Sequence, residues 1–134
     1  MKEYVTFKNG LSVLESANEQ DLYNTFIVSG INHKFFAQVY FLLYLLKRLL
    51  IYEGFGRVDY SPKETMKEAY QCYDFINEKI WLEILNCYKE RRSFRDDAAA
   101  RELSTKIITA YIPEMKKLLG GIDDEYGDIL NKID

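Results

Sequence analysis

Hydrophobic residues recur at helical spacing along almost the whole of this chain. Phe7, Leu11 and Leu14 follow one another at intervals of four and three, which places them on one face and predicts a first helix over residues 4–17, with Gly10 in its middle. The segment from Asn18 to Gly30 is less regular. Asp21 there is positioned to cap a short helix running through Phe26 and stopping near Ser29-Gly30. From Asn32 to Tyr52 apolar side chains cover nearly every side: Phe35, Val39, Leu42, Leu43, Leu46, Leu49 and Leu50. That run is too long for a strand and predicts a helix that is central to a bundle, or one that carries both a core face and an interface face. Lys47-Arg48 mark a narrow solvated strip, and the helix is expected to stop at Gly54 with Gly56 in the following turn.

Ser61-Pro62-Lys63-Glu64 is the sharpest local signal. Ser61 caps, Pro62 suits the first helical position because its missing N–H would have no partner there, and Glu64 reaches back to the cap amide. The third helix then turns Met66, Ala69, Tyr70 and Tyr73 inward. Next, Ile76, Ile80, Ile84 and Tyr88 repeat every fourth residue, with Trp81 and Leu85 widening the stripe of a fourth helix. A polar stretch from Lys89 to Asp97 follows, and Asp96 or Asp97 begins the last helix. Its stripe is Leu103, Ile107, Ile108, Tyr111, Ile112, Met115, Leu118 and Leu119. Pro113 inside that stripe should kink it or remove one backbone bond, and Gly120-Gly121 are expected to end it. The pattern therefore predicts an all-α bundle of four to five helices. One domain spans residues 1–121, and residues 122–134 form an acidic tail or a short extra helix.

Composition sharpens this picture at three points. Only 2 Pro and 7 Gly occur in 134 residues, too few turn formers for a β-sandwich or barrel. A hydrophobic fraction of 48% with 15% aromatics supplies a core and excludes disorder. The net charge of −3 and a pI of 5.3 lack the basic excess of a general nucleic-acid-binding surface, leaving only a local patch for that role. The opening residues MKEYVTFKNG lack the apolar core of a signal peptide. The longest uncharged apolar stretch, Phe35 to Leu46, is shorter than the roughly 20 residues needed to cross a bilayer. Cys72 and Cys87 do not form a CxxC pair and are expected to be reduced core residues, so a cytoplasmic location is the expectation.

The chain carries neither a GxxxxGK[ST] nor a GxGxxG loop, and its single His, two separated Cys and scattered carboxylates do not make a metal-ligand cluster. No cofactor is implied. His33 is the only histidine, so any histidine-dependent acid–base step must use it, although a lone His near a helix end is more often a surface residue. Glu64, Glu68, Asp74, Glu78 and Glu83 fall on polar helix faces, as solvated carboxylates usually do. Lys89, Arg91, Arg92 and Arg95, with Arg101 beyond them, concentrate positive charge in a short loop beside Phe94. Such a loop suits a phosphate or an RNA backbone. The alternative is that these cations pair with Glu90, Asp96, Asp97 and Glu102 and offset the fourth helix's dipole.

Three ordered stretches carry a family resemblance. Ser61-Pro62-Lys63, Lys67-Glu68-Ala69-Tyr70 and Trp81-Leu82-Glu83-Ile84-Leu85 resemble the nucleotidyltransferase substrate-binding proteins of the HEPN superfamily. The long helix, from Lys34-Phe35 through Leu46-Lys47 to Tyr52-Glu53-Gly54, is similar to that family's central helix, and Phe7-Lys8-Asn9 through Leu14 to its opening one. The resemblance covers residues 4–119 in order. It implies an antiparallel helical bundle that dimerises and acts beside a minimal nucleotidyltransferase encoded nearby. Many relatives carry R-x4-6-H, often extended to H-x-Y, and are ribonuclease toxins neutralised by modification of that Tyr. Aligned from Trp81, the family's Arg falls on Tyr88, the next Asn on Lys89, its His on Ser93 and its Tyr on Arg95. Serine does not serve as a general base near neutral pH, so the resemblance implies a retained scaffold with a degenerate motif.

Two functions of different class follow. The first is a non-catalytic helical subunit that binds a nucleotidyltransferase partner, its nucleotide or RNA substrate, or both. The second is a divergent ribonuclease or toxin using the 89–95 loop with His33 or Tyr88 brought in across a dimer. The dimer itself is expected from the apolar excess of the long helix, with Tyr40, Tyr44 and Tyr52 as interface anchors.

Overall fold

The first apolar stripe folds as α1 (Lys2–Leu14), which buries Tyr4, Phe7, Leu11 and Leu14, and a 3-10 turn over Glu15–Glu19 extends it. In the computed structural model, which describes residues 1–55 and 57–132, every regular element is helical. Beside α1 runs α2 (Thr25–Tyr52). The start of α1 lies against Tyr40 and Tyr44 and its end against Ile27 and Ile31, so the pair is antiparallel.

The beginning of α2 differs from the sequence expectation. Asn24, not Asp21, is the cap: its side chain accepts from the amides of Phe26 at 3.0 Å and Ile27 at 3.2 Å. Asp21 instead holds the preceding turn by accepting from the Tyr23 amide at 2.9 Å. The helix passes through Ser29-Gly30 without stopping, because Val28 and Ile31 already belong to its buried stripe. A glycine inside a helix costs only about 1 kcal/mol, which burial of those two side chains outweighs. Starting at Thr25 also makes α2 long and apolar enough, by length and composition, to cross a membrane, more than the Phe35–Leu46 stretch conveys. In the bundle it is the central helix, packed by α1, α3, α4 and α5. It ends as expected at Gly54, whose φ of +84° reverses the chain, with Gly54 N–H donating to Ile51 and Phe55 N–H to Leu50. The expected turn residue Gly56 lies outside the described residues.

The capping box forms at Ser61: its hydroxyl accepts from the Glu64 amide and Glu64 accepts from the Ser61 amide, both at 3.1 Å. It opens α3 (Pro62–Cys72), whose Met66 and Ala69 are fully buried while Tyr70 is half-exposed. Cys72 is exposed, contrary to the core role expected of it; it is the last residue of the helix, where the packed stripe runs out. Ile76 is buried just ahead of α4 (Glu78–Lys89), which Asn77 caps and which buries Trp81, Ile84 and Leu85.

Asp96 caps α5 (Asp97–Lys106) by accepting from the Ala99 amide at 3.1 Å. The rod then continues through a π-helical turn, Ile107–Tyr111, into α6 (Ile112–Leu130). The π turn is how the helix absorbs Pro113, whose ring would clash with the carbonyl four residues back in a regular α-helix. The Ile112 amide bonds to the Ile107 carbonyl, five residues back. Tyr111, presented by this turn, stacks on Phe35 with ring centroids 5.5 Å apart.

Gly120-Gly121 do not end the last helix. Ile122, Tyr126 and Leu130 repeat every fourth residue and continue the buried stripe, and Gly121 lies hard against the Phe75 ring. The Tyr126 hydroxyl meets that of Tyr73 at 2.9 Å, and the Tyr4 hydroxyl donates to Asp123. Residues 122–130 are thus tied to α1 and to the α3–α4 connection; of the expected tail, 133–134 lie outside the described residues.

Candidate functional site

Two polar residues on otherwise apolar faces set the geometry at one end of the bundle. Asn32 on α2 donates to the Ala100 carbonyl at 3.0 Å and accepts from the Ser104 hydroxyl at 2.7 Å, both on α5. Buried polar groups are stable only when paired, so this lock admits one register of α5 on α2. That register puts Arg101 on the lining of one cleft with His33, the next residue along α2 from Asn32. Arg101 is held further by a bond from its Nε to the Leu22 carbonyl at 3.1 Å, and its guanidinium lies 4.9 Å from the Tyr23 ring centroid.

The basic loop closes the same space. After α4 a 3-10 turn, Arg91–Ser93, carries the chain over an aromatic platform in which Phe36 lies 6.3 Å from Tyr88 and 6.4 Å from Phe94. Arg91 is pinned there: its Nη1 donates to the Tyr88 carbonyl at 2.8 Å and its guanidinium sits 4.6 Å from the Tyr88 ring centroid. The result is a cleft of about 310 Å³ lined by His33, Phe36, Arg91, Phe94, Arg95 and Arg101, with hydroxyls from Thr25 and Ser29 and one carboxylate, Asp97. Among the described residues, Lys89, Arg91, Arg92, Arg95 and Arg101 make no ion pair within 4.0 Å. Among the described residues these cations are therefore not paired with Glu90, Asp96, Asp97 or Glu102 within 4.0 Å, and Asp96 caps α5 instead.

The fold divides the four predicted phosphate-binding residues. Arg91 and Arg95 line the cleft; Lys89 points to a neighbouring groove; Arg92 is exposed and lines neither. Of the family motif positions, Tyr88 is a half-buried member of the platform, Lys89 and Arg95 are exposed, and Ser93 is exposed on the 3-10 turn. His33 needs no second subunit to reach the basic loop, since α2 of the same chain delivers it. The sequence joined His33 to the basic loop only across a dimer; what brings them together within one chain is the Asn32–Ser104 lock. The available signal was a pair of small polar residues interrupting two apolar stripes.

A second polar cluster behind the platform is structural. The Tyr111 hydroxyl donates to Glu83 at 2.9 Å and lies 3.7 Å from the Cys87 sulfur. Burial pushes the Tyr111 hydroxyl well above its ordinary range, aided by Cys87 and Glu83, and burial likewise pushes the Cys87 thiol up. A thiol kept protonated in this way is a poor nucleophile. Among the described residues, no three His, Cys, Asp or Glu side chains gather to hold a metal ion.

The interface candidates on α2 are open to solvent: Tyr40, Tyr44 and Tyr52 are 56%, 41% and 67% exposed. Tyr40 and Tyr44 adjoin Pro62 and Tyr88, so their face is continuous with the start of α3 and the end of α4.

No curated protein and no solved structure matches this chain. One family does: the sequence model described as nucleotidyltransferase substrate binding protein like matches residues 2–124, which takes in α1 through α5, the π turn and the first part of α6. With the helices and their caps in that order, the chain belongs to the nucleotidyltransferase substrate-binding protein-like family.

Proposed function

We propose that this protein is a non-catalytic, cytoplasmic subunit that associates with a minimal nucleotidyltransferase and holds phosphates of that enzyme's nucleotide or RNA substrate. The observation that carries the reading is the cleft in which Arg91, Arg95 and Arg101 converge without an anionic partner of their own. Guanidinium groups recognise phosphate through paired, charge-assisted hydrogen bonds, and Arg91 and Arg101 are each pre-oriented by a bond to a backbone carbonyl. Phe36 and Phe94 supply flat apolar faces beside them, as base or ribose recognition requires. The lack of turnover rests on the family's motif positions, where Tyr88 and Ser93 offer neither the cation nor the proton carrier. A homodimer through Tyr40, Tyr44 and Tyr52 belongs to the same proposal.

The test is binding of fluorescent nucleotides and short RNA across a salt series. Arg91→Ala and Arg95→Ala should each weaken binding and lower the salt dependence, while wild-type affinity at the same level in the double variant would sink the reading. A second reading, ribonuclease activity, is favoured by one observation: His33 shares the cleft with the arginines. Cleavage of RNA by the wild-type chain that disappears in His33→Ala would establish it over the first.

A further inference from the structure

Lys89 and Arg91 lead away from the cleft into a second depression, between the start of α3 and the second half of α4. This groove measures about 610 Å³ and is floored by Pro62, Leu82, Leu85 and Tyr88. Leu82 is 37% exposed, a leucine left at the surface of a helix whose other aliphatic residues are covered. The charged residues of the lining are Lys63, Lys89 and Arg91, all cationic; no Asp or Glu lines it. An apolar floor with a rim of one sign is complementary to an occupant with an apolar anchor and the opposite charge.

Resting on the reading of the chain as a nucleotidyltransferase-binding subunit, we propose that this groove is where the nucleotidyltransferase docks. It does so through an acidic segment that seats one or two large aliphatic side chains on Leu82 and Leu85, with its carboxylates on Lys63, Lys89 and Arg91. The volume suits such anchors rather than a flat contact, since pockets of roughly 300–1,000 Å³ enclose compact apolar groups. The apolar floor, not the charge, decides against a nucleic-acid occupant. A phosphate backbone would find three cations here but nothing to replace the water it strips from the leucines, whereas the neighbouring cleft offers cations and aromatic faces together. The groove shares Pro62 and Tyr88 with the face that carries Tyr40 and Tyr44, so a second copy of this chain is the competing occupant.

The experiment titrates the full chain with the nucleotidyltransferase encoded beside its gene, by calorimetry, with light scattering of the chain alone run in parallel. Leu82→Glu and Lys89→Glu should each raise Kd by about tenfold or more, as loss of an anchor or of a desolvated charge pair does. Lys117→Glu, an equal charge change on the exposed side of α6, should leave it unchanged. Added salt should weaken the wild-type complex more than the Lys63→Glu, Lys89→Glu double variant. Should Leu82→Glu lose helical circular dichroism, Leu82→Ala replaces it. Wild-type affinity in folded groove variants overturns the docking site while leaving the partner reading intact. Loss of self-association with unchanged partner binding assigns the groove to a second copy and overturns it equally. No complex with the wild-type chain removes both the partner reading and this site.

Discussion

At Gly54 the backbone takes a φ of +84°, which a side chain bearing a Cβ adopts only with strain. Gly54→Ala should therefore lower stability by about 1–2 kcal/mol in urea unfolding, although the position is exposed and an added Cβ would meet no atom. The capping box makes a companion prediction with a pH dependence. Ser61→Ala should cost about 1 kcal/mol by leaving a first-turn amide without its acceptor. Bonds from the Ser61 backbone and side chain hold the Glu64 carboxyl below its ordinary range. A group depressed on folding stabilises above its unfolded-state range and loses that contribution as pH falls through its folded value. The stability gap between wild type and Glu64→Gln should thus be full near neutrality and close on acidification below about pH 4. Both features were legible in the sequence because each acceptor and donor lies within five residues of its partner. Asn32 was not: its partners Ala100 and Ser104 are 68 and 72 residues away. Ser104→Ala should cost about 1–3 kcal/mol by stranding the buried Asn32 oxygen, and thermal unfolding measures it. The opposite sign is expected at Thr65, whose buried hydroxyl has no partner; Thr65→Val should be neutral or stabilising.

Helix limits were readable at the Ser61 and Asp96 caps, and misread at Asn24, where Asp21 was expected to cap, and where a breaker was overruled. Asn24, Ser61, Asn77 and Asp96 all cap by side-chain bonds. Gly30 and Gly120-Gly121 looked like stops, yet each lies in a helix whose apolar stripe continues past it. A glycine lowers helix stability by about 1 kcal/mol, and one buried leucine or isoleucine contributes about 1.5–3 kcal/mol, so tertiary burial wins. The two adjacent glycines of α6 make this testable, because their surroundings differ. A Cβ at Gly120 meets no atom, whereas one at Gly121 meets the Phe75 ring. Gly120→Ala should stabilise the protein by up to about 1 kcal/mol, and Gly121→Ala should destabilise it by about 1–3 kcal/mol through overpacking. Were the helix to end at this pair, a terminating glycine would take a positive φ, and Gly120→Ala would destabilise rather than stabilise. The Phe75 contact also explains the second glycine: α6 passes close to the α3–α4 connection there and leaves no room for a side chain.

For the molecule as a whole, the sequence exposed the parts of the site but not their assembly. Lys89, Arg91, Arg92 and Arg95 read as one basic loop, yet a helix end followed by a 3-10 turn points neighbouring side chains in different directions and splits them between a cleft and a groove. Arg91 alone of the four lines both. One guanidinium cannot give its full set of charge-assisted bonds to a phosphate on one side and a carboxylate on the other, so the two sites must compete for it. Docking of an acidic segment in the groove should therefore weaken nucleotide binding in the cleft, and bound nucleotide should weaken docking by the same factor, since coupling between equilibria is reciprocal. A factor of about five or more is expected, at the lower end of measured couplings. Titrating a fluorescent nucleotide with and without saturating partner, and the partner with and without nucleotide, measures both arms. Arg91→Ala should weaken each binding on its own and bring the coupling factor to one. Arg95→Ala should weaken only the nucleotide and Leu82→Glu only the partner. A coupling that survives Arg91→Ala would place the link elsewhere, and a subunit whose sites are linked through Arg91 would release its nucleotide on engaging the enzyme that uses it.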